Sequence, residues 1–389
     1  MVEGQRLSAR EILERLVGFA TVSRDSNLEL VDWVEDYLSS WGVTAHRVYN
    51  PEGTKAAVFA NVGPEIEGGV VLSGHTDVVP VDGQEWSSDP FTVVERDGKL
   101  FGRGVCDMKG FDALALWAVQ LAVEKGVKRP LQIALSYDEE VGCTGAPVML
   151  AEMVKVLPKA AAAVIGEPSM MGAVTGHKGG TGFLTHVRGY EVHSSIMHRG
   201  VNAIMEAAKL IVWANEKNAE GAAATPAPVA AMFDPPWTTP HVGTITGGTA
   251  NNITAKDCTF QMGFRVVPGD DPKAWEAAYI AKVAEVEAEM KAVRPEAGIT
   301  LEPAYNVPPL VPEEHGAAEA LVRRLTGDNA SRVVSYGTEA GQFQQAGYSA
   351  VICGPGDIAQ AHQQDEWLSL KQFEAGQDFM RRLVDELAA

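Results

Sequence analysis

Four apolar runs of this sequence end in residues that could bind a metal ion. VVLSGHTD ends in His75 and Asp77, LQIALSYDEE in Glu139 and Glu140, and AVIGEP in Glu167, while AVICGPG is followed shortly by His362. Asp107 joins them from FGRGVCDMKG, a glycine-rich turn that leads directly into a helical pattern. Singly, each residue has a plainer reading. A histidine after a strand is commonly a surface side chain, paired acids commonly belong to a solvated loop, and Asp107 could cap the helix that follows it. Their joint placement points elsewhere. In open α/β sheets, ligand sites gather beyond the carboxyl ends of the strands, so separate strands delivering His and carboxylate to one edge form a spatial cluster. Such carboxylates would repel one another and resist ionisation unless a cation neutralised them. The mixed His/carboxylate set suits a zinc-like metal better than calcium or magnesium, which favour all-oxygen sites.

The elements that must position these residues fall into three regions. Up to about Thr175, short apolar runs (KAAVFANV, GGVVLSGHTD, LQIALSYDEE, AAAVIGEP) alternate with helical patterns such as FDALALWAVQLAVEK and APVMLAEMVKVL. That alternation predicts an α/β domain with a mostly parallel central sheet. The next region reads as strand TGFLTHVRG, helix NAIMEAAKLIVWANEK, strands HVGTITGGT and CTFQMGFRVV, helix PKAWEAAYIAKVAEVEAEMKAV and strand GITLEPA. The order β-α-β-β-α-β is that of a small ferredoxin-like α+β sandwich, with the Ala/Pro-rich piece GAAATPAPVAAMFDPPW as a long loop inside it. From about Val307 the α/β alternation returns. The expectation is one α/β domain, residues 1–177 and 307–389, interrupted by an inserted domain, residues 178–306.

Bulk properties narrow the partners. The chain has 389 residues and a formal net charge of −19. That charge argues against nucleic acid and against anionic membrane surfaces, both of which would repel it. No segment approaches the roughly 18 consecutive apolar residues of a membrane span. The first residues, MVEGQRLSAREILERLVGF, scatter charge along an amphipathic pattern unlike a signal or transit peptide. Cys106, Cys143, Cys258 and Cys353 form no CxxC pair and no disulfide framework, and the expected location is the reducing cytoplasm.

The segments SGHTDVVP, GRGVCDMKG, SYDEEVG, GEP and GPG…AHQQDEW resemble the motif blocks of the dinuclear-zinc aminoacylase and carboxypeptidase family, in order and over nearly the whole chain. Members include acetylornithine deacetylase, succinyl-diaminopimelate desuccinylase and glutamate carboxypeptidase. GTEAGQF and CGPGDIAQAHQQDE look closest to the acetylornithine deacetylases.

The resemblance implies a zinc-peptidase-like catalytic domain interrupted by a lid that serves for dimerisation. It also implies a cofactor of two Zn²⁺ per subunit, with Co²⁺ as a possible substitute. Asp107 would bridge the metals, His75 and Glu167 would complete one, and Glu140 with His362 the other. Asp77 would accept the far imidazole N–H of His75, a bond that fixes the tautomer of a ligating histidine. Glu139 would stay unligated as general base and then acid. His193, in GYEVHSS, resembles a family histidine that donates to the oxyanion across a homodimer interface. Lys178 and Arg265 are placed like residues that hold the substrate carboxylate, for which a guanidinium is suited, and Asn252 resembles a substrate-contacting Asn. Glu339 could face a substrate ammonium or support the ligands from behind. Cys143 reads as packing near the metals, because no thiol mechanism has a matching base, and His198 and His241 read as structural or surface residues.

The implied reaction is metal-dependent hydrolysis of the amide of a small N-acyl-L-amino acid, first of all N2-acetyl-L-ornithine to L-ornithine and acetate in arginine biosynthesis. Acetylcitrulline, succinyl-diaminopimelate, or a dipeptidase or carboxypeptidase reaction on the same scaffold stay open. A non-catalytic binding relative is disfavoured, since it has no need of an unligated base beside five ligands.

Overall fold

The computed structural model describes residues 4–389. The chain forms two compact units, Met1–Gly176 with Pro312–Arg332 and Thr338–Ala389, and His177–Val311 with Val333–Gly337.

The first unit is built on a six-stranded sheet. Its strands are β1 (Ala45–Tyr49), β2 (Ala56–Val62), β3 (Val70–His75), β4 (Leu131–Ser136), β5 (Ala162–Pro168) and β6 (Ala350–Gly354), in the order β1-β2-β4-β3-β5-β6. The pairs β4/β3, β3/β5 and β5/β6 are parallel, and β1 and β2 are added antiparallel at one side. Every residue of β3, β4, β5 and β6 is buried. This is why they read as unbroken apolar runs: parallel strands have both faces covered.

The helix Lys109–Lys125 carries this packing to the site. It is buried at every position from Lys109 to Gln120 and again at Ala122, packed against β3, against the helix Ala9–Val17 and against the C-terminal helix Leu370–Ala388. It stops at Gly126, whose φ of 68° is the left-handed conformation that a glycine C-cap adopts without a Cβ penalty. Two further glycines let the helix lie close beneath the strand ends. A Cβ on Gly74 would fall 2.0 Å from Asp112 Oδ1, and one on Gly166 would fall 2.0 Å from the Phe111 ring. Both glycines immediately precede proposed ligands, His75 and Glu167.

The second unit has the expected β-α-β-β-α-β order. Its strands Thr239–Gly247, Asp257–Val266, Gly179–Arg188 and Gly298–Val307 lie in that spatial order and pair antiparallel throughout. Burial alternates along Asp257–Val266, the pattern of a sheet covered on one face. The helices Ala203–Ala223 and Pro272–Val293 supply the cover, with Phe183, Leu210, Trp213, Phe264 and Tyr279 in the core between. Asn202 and Asp271 cap the helix starts with their side chains, and Pro272 occupies a first-turn position where a missing N–H costs nothing.

The short segment Val333–Gly337, expected within the second α/β piece, packs with the inserted unit. Backbone and side-chain bonds hold it there: Lys178 N–H donates to Val334 O at 3.3 Å, and the Ser335 hydroxyl donates to Asp234 O at 2.6 Å. Among the described residues, no helix is long and apolar enough to cross a membrane.

Candidate metal centre

The strand ends deliver their chemistry to one place in the first unit. His75 is the last residue of β3, Glu139 and Glu140 follow β4, Glu167 lies near the end of β5, and His362 follows β6. Asp107 sits in the turn before the helix Lys109–Lys125, and its peptide to Met108 is cis. Asp107 Oδ1 is 3.1 Å from His75 Nε2, and Oδ2 is 3.0 Å from His362 Nε2. Glu167 Oε1 is 3.9 Å from the same His75 nitrogen, and Glu140 Oε2 is 3.0 Å from the same His362 nitrogen. One carboxylate thus faces two imidazoles, and each imidazole faces one further carboxylate.

Two overlapping groups have ligand atoms within 4.8 Å of one another: His75 with Glu139 and Glu167, and His75 with Asp107 and Glu140. Glu139 therefore lies as near to His75 and Glu167 as a ligand would. The ion-pair distances divide the set differently, with Asp107 and Glu167 around His75 and Asp107 and Glu140 around His362.

The electrostatics call for cations. Five carboxylates (Asp77, Asp107, Glu139, Glu140 and Glu167) and two imidazoles crowd a mostly buried space. Burial, with the charge of Asp107 beside them, raises the carboxyls of Glu139, Glu140 and Glu167, Glu140 up to about 8. Burial alone would also raise Asp107, but hydrogen bonds from His362 and His75 hold it below the usual carboxylate range. Hydrogen bonds to Asp107 and Glu140 push His362 up to about 10. Burial opposes a charged His75, yet Asp107 and Glu139 outweigh it and raise that group well above its ordinary value. The protein alone balances this excess of acid by holding protons. Divalent cations would balance it through the same oxygen and nitrogen atoms, and nitrogen with carboxylate oxygen is a donor set for zinc-like ions. The residues present fit such a metal pair.

Asp77 departs from its expected task. The imidazole Nδ1 of His75 is 2.9 Å from the backbone oxygen of Asp77, whereas the nearer carboxylate oxygen is 3.7 Å away. The carboxylate instead accepts the backbone N–H groups of Glu139 at 3.1 Å and Glu140 at 3.3 Å, and the Ser23 hydroxyl at 2.6 Å. Three donors from Ser23 and the Glu139–Glu140 turn orient this buried carboxylate away from the imidazole.

On the other side stand Glu366, which the sequence did not single out, and Glu339 and Cys143, which it did. Glu366 is buried (1 % exposed) and pairs with Arg103, also buried, at 2.8 Å. It accepts the backbone N–H groups of Gly104, Cys106 and Asp107 at 2.9–3.0 Å, which fixes the turn that presents Asp107. Glu366 lies in the AHQQDEW block, and its position beside Trp367 was the only available signal. Glu339 is buried and accepts the Ser136 hydroxyl at 2.5 Å, supporting the end of β4. Cys143 is buried beside Glu139, its thiol 3.2 Å from Glu139 Oε1.

The remaining expected residues lie in the second unit. His193 and Asn252 are exposed and adjacent: Ser194 N–H donates to Asn252 O at 2.9 Å, and His193 pairs with Ile253 across a short bridge. His193 Nδ1 accepts Ser195 N–H at 3.3 Å, so in the neutral ring the proton sits on Nε2 and that atom donates. Arg265 is exposed on the strand Asp257–Val266, next to Gly180 and Tyr305. Lys178 does not present its ammonium as expected. It is buried (1 % exposed) and donates to Pro235 O at 2.6 Å and Trp237 O at 3.2 Å, so its donors satisfy backbone carbonyls of its own unit. His198 and His241 are exposed.

The chain belongs to Peptidase family M20/M25/M40, whose model matches residues 71–386. Within that class it is 32 % identical to the acetylornithine deacetylase of Myxococcus xanthus, over 96 % of this chain and 96 % of that protein. Its fold is similar to an M20 family metallo-carboxypeptidase from Sulfolobus solfataricus, with a TM-score of 0.78 at 16 % identity over 98 % of this chain and 100 % of the other. It is also similar to YxeP of Bacillus subtilis, a dinuclear metal-binding peptidase of the same family, with a TM-score of 0.63 at 15 % identity over 97 % of each. The protein is thus a metal-dependent amidohydrolase.

Proposed function

We propose that this enzyme deacylates a small N-acyl-L-amino acid, with N2-acetyl-L-ornithine as the first substrate and L-ornithine and acetate as products. The observation that carries the reading is Asp107, whose two oxygens face two different imidazoles at 3.1 and 3.0 Å. Zinc ions bound there would be held by Asp107 together with His75, Glu167, Glu140 and His362. When bound, the ions polarise the acyl carbonyl and make water nucleophilic near neutral pH. The identity to the Myxococcus xanthus acetylornithine deacetylase supports the choice of substrate.

The chain's own residues divide the remaining work. Glu139 takes a proton from the attacking water onto a carboxylate oxygen and returns it to the departing nitrogen. His193 donates its Nε2–H to the oxyanion. Its place on the inserted unit, together with the family resemblance, supports donation from the second copy of a homodimer. Arg265 pairs with the substrate carboxylate through two parallel hydrogen bonds, and Asn252, beside His193, contacts the substrate. The strong negative charge argues against nucleic-acid and anionic-membrane partners, and the cysteine pattern fits the cytoplasm.

A screen of acylated amino acids with zinc- or cobalt-loaded enzyme tests this. Turnover of acetylornithine above acetylcitrulline, succinyl-diaminopimelate and dipeptides is expected. Preferential cleavage of dipeptides would replace the deacylase reading with a peptidase.

A further inference from the structure

We infer that Cys143 and Gln342, the latter from the GTEAGQF segment, are positioning residues for Glu139. The inference rests on Glu139 serving as the base. A base flanked by ligands needs its carboxylate aimed at the water and kept off the metals, and the fold supplies a device for this.

The Cys143 thiol lies 3.2 Å from Glu139 Oε1 and donates to it. Burial, followed by the charge of Glu139, raises the thiol well above its ordinary range, so it stays protonated and donates. The turn that brings it there is specific. Cys143 N–H and Gly142 N–H both return to Glu139 O, at 2.9 and 3.0 Å. Cys143 has φ of 53°, a left-handed conformation that a residue with a Cβ adopts at a cost. Such a conformation persists where its surroundings fix it. Here the clamp is Gln342, nine-tenths or more buried, whose Nε2–H donates to Cys143 O at 2.8 Å. Gln342 lies on the short helix Ala340–Gln345, nearly two hundred residues further along the chain. The backbone of Glu139 is fixed separately by Asp77, which accepts its N–H at 3.1 Å. Asp77 therefore fixes where the base begins, and Cys143 fixes where its carboxylate points.

An orienting role predicts a particular pattern. The thiol's hydrogen bond goes to Glu139, which is not a proposed ligand, so its loss should lower kcat and leave KM and metal content unchanged. Cys143→Ala should reduce kcat by roughly 10-fold, as a 1.4 kcal/mol loss of orientation would. Cys143→Ser, which keeps a donor at the same carbon, should recover most of it. Gln342→Ala should show the same kcat-only defect. The double variant Cys143→Ala/Gln342→Ala should be little worse than either single one, because both act on one element.

The four variants are assayed as the zinc-loaded full-length enzyme for kcat, KM and metal content, beside Glu139→Gln. If Glu139→Gln is inactive while Cys143→Ala keeps the full kcat, the positioning role is overturned and the base assignment stands. An equal loss in the Ser and Ala variants, or fully additive losses in the double variant, would also overturn it. If Glu139→Gln keeps full turnover, the base assignment itself fails.

Discussion

His75 is held by the backbone of Asp77 and not by its carboxylate: the Asp77 carbonyl oxygen is 2.9 Å from Nδ1, the carboxylate 3.7 Å. A backbone carbonyl can only accept, so Nδ1 carries a proton, and Nε2 faces Asp107 and Glu167, where a metal ion would take the place of the proton that Nε2 shares with Asp107. The Asp77 side chain is thereby released to tie β3 to the segment after β4.

Asp77→Asn follows directly from this. An amide replaces one acceptor oxygen with a donor, which then confronts an N–H of Glu139 or Glu140 or the Ser23 hydroxyl. The tautomer of His75 should survive, because the backbone sets it. The Glu139–Glu140 segment should shift, lowering kcat and weakening metal binding at the site proposed for Glu140 by about 10–100-fold. Zinc-binding titrations and kinetics check this; wild-type affinity and turnover would show that the carboxylate's contacts with that segment are dispensable.

Glu139→Gln keeps the shape of the base but cannot accept a proton. Turnover should fall by ~10²–10⁴, with metal content close to wild type. Glu140→Gln should instead lose metal. Kinetics and elemental analysis of the pair separate the roles, and metal loss from Glu139→Gln at the level of Glu140→Gln would mean that the two are exchanged.

Glu366→Gln tests the support of the Asp107 turn. The variant leaves the buried Arg103 guanidinium without its counter-charge, a change that costs about 3–5 kcal/mol when one member of a buried pair is removed. Thermal and denaturant unfolding should show a large loss, and metal affinity should fall with it as the turn loosens. A variant as stable as wild type would show that the pair contributes little.

The same residues mark what the sequence could convey. β3, β4 and β5 were legible, with the His and Glu residues at their ends, because strands buried on both faces are written as continuous apolar runs. The inserted unit was legible through the order of its elements. Glu366 was not: in QQDEW it looks like one more surface acid, and its burial depends on Arg103, far away in the chain. Lys178 misled in the opposite way, because nothing in GHKGG indicates that its ammonium turns toward Pro235 and Trp237. Asp77 shows the finest limit. Its spacing from His75 was informative, but whether the carbonyl or the carboxylate makes the bond depends on which donors arrive from Ser23 and the Glu139 turn.

A shared active site predicts complementation. If His193 acts on the centre of a partner copy, mixing inactive Glu139→Gln chains with inactive His193→Ala chains should restore part of the activity, since some mixed dimers carry one intact centre with one intact histidine. Subunit exchange is verified separately by mass-tagged chains. No recovery after verified exchange would assign His193 to its own chain or remove it from the reaction.

The central claim is that catalysis depends on two metal ions sharing Asp107. Its most direct test is a zinc titration of chelator-stripped enzyme, following acetylornithine hydrolysis against the metal content per chain. The account predicts negligible activity without metal and a maximum at two zinc ions per chain. Full activity in the stripped enzyme, or no second ion bound at saturation, would contradict it.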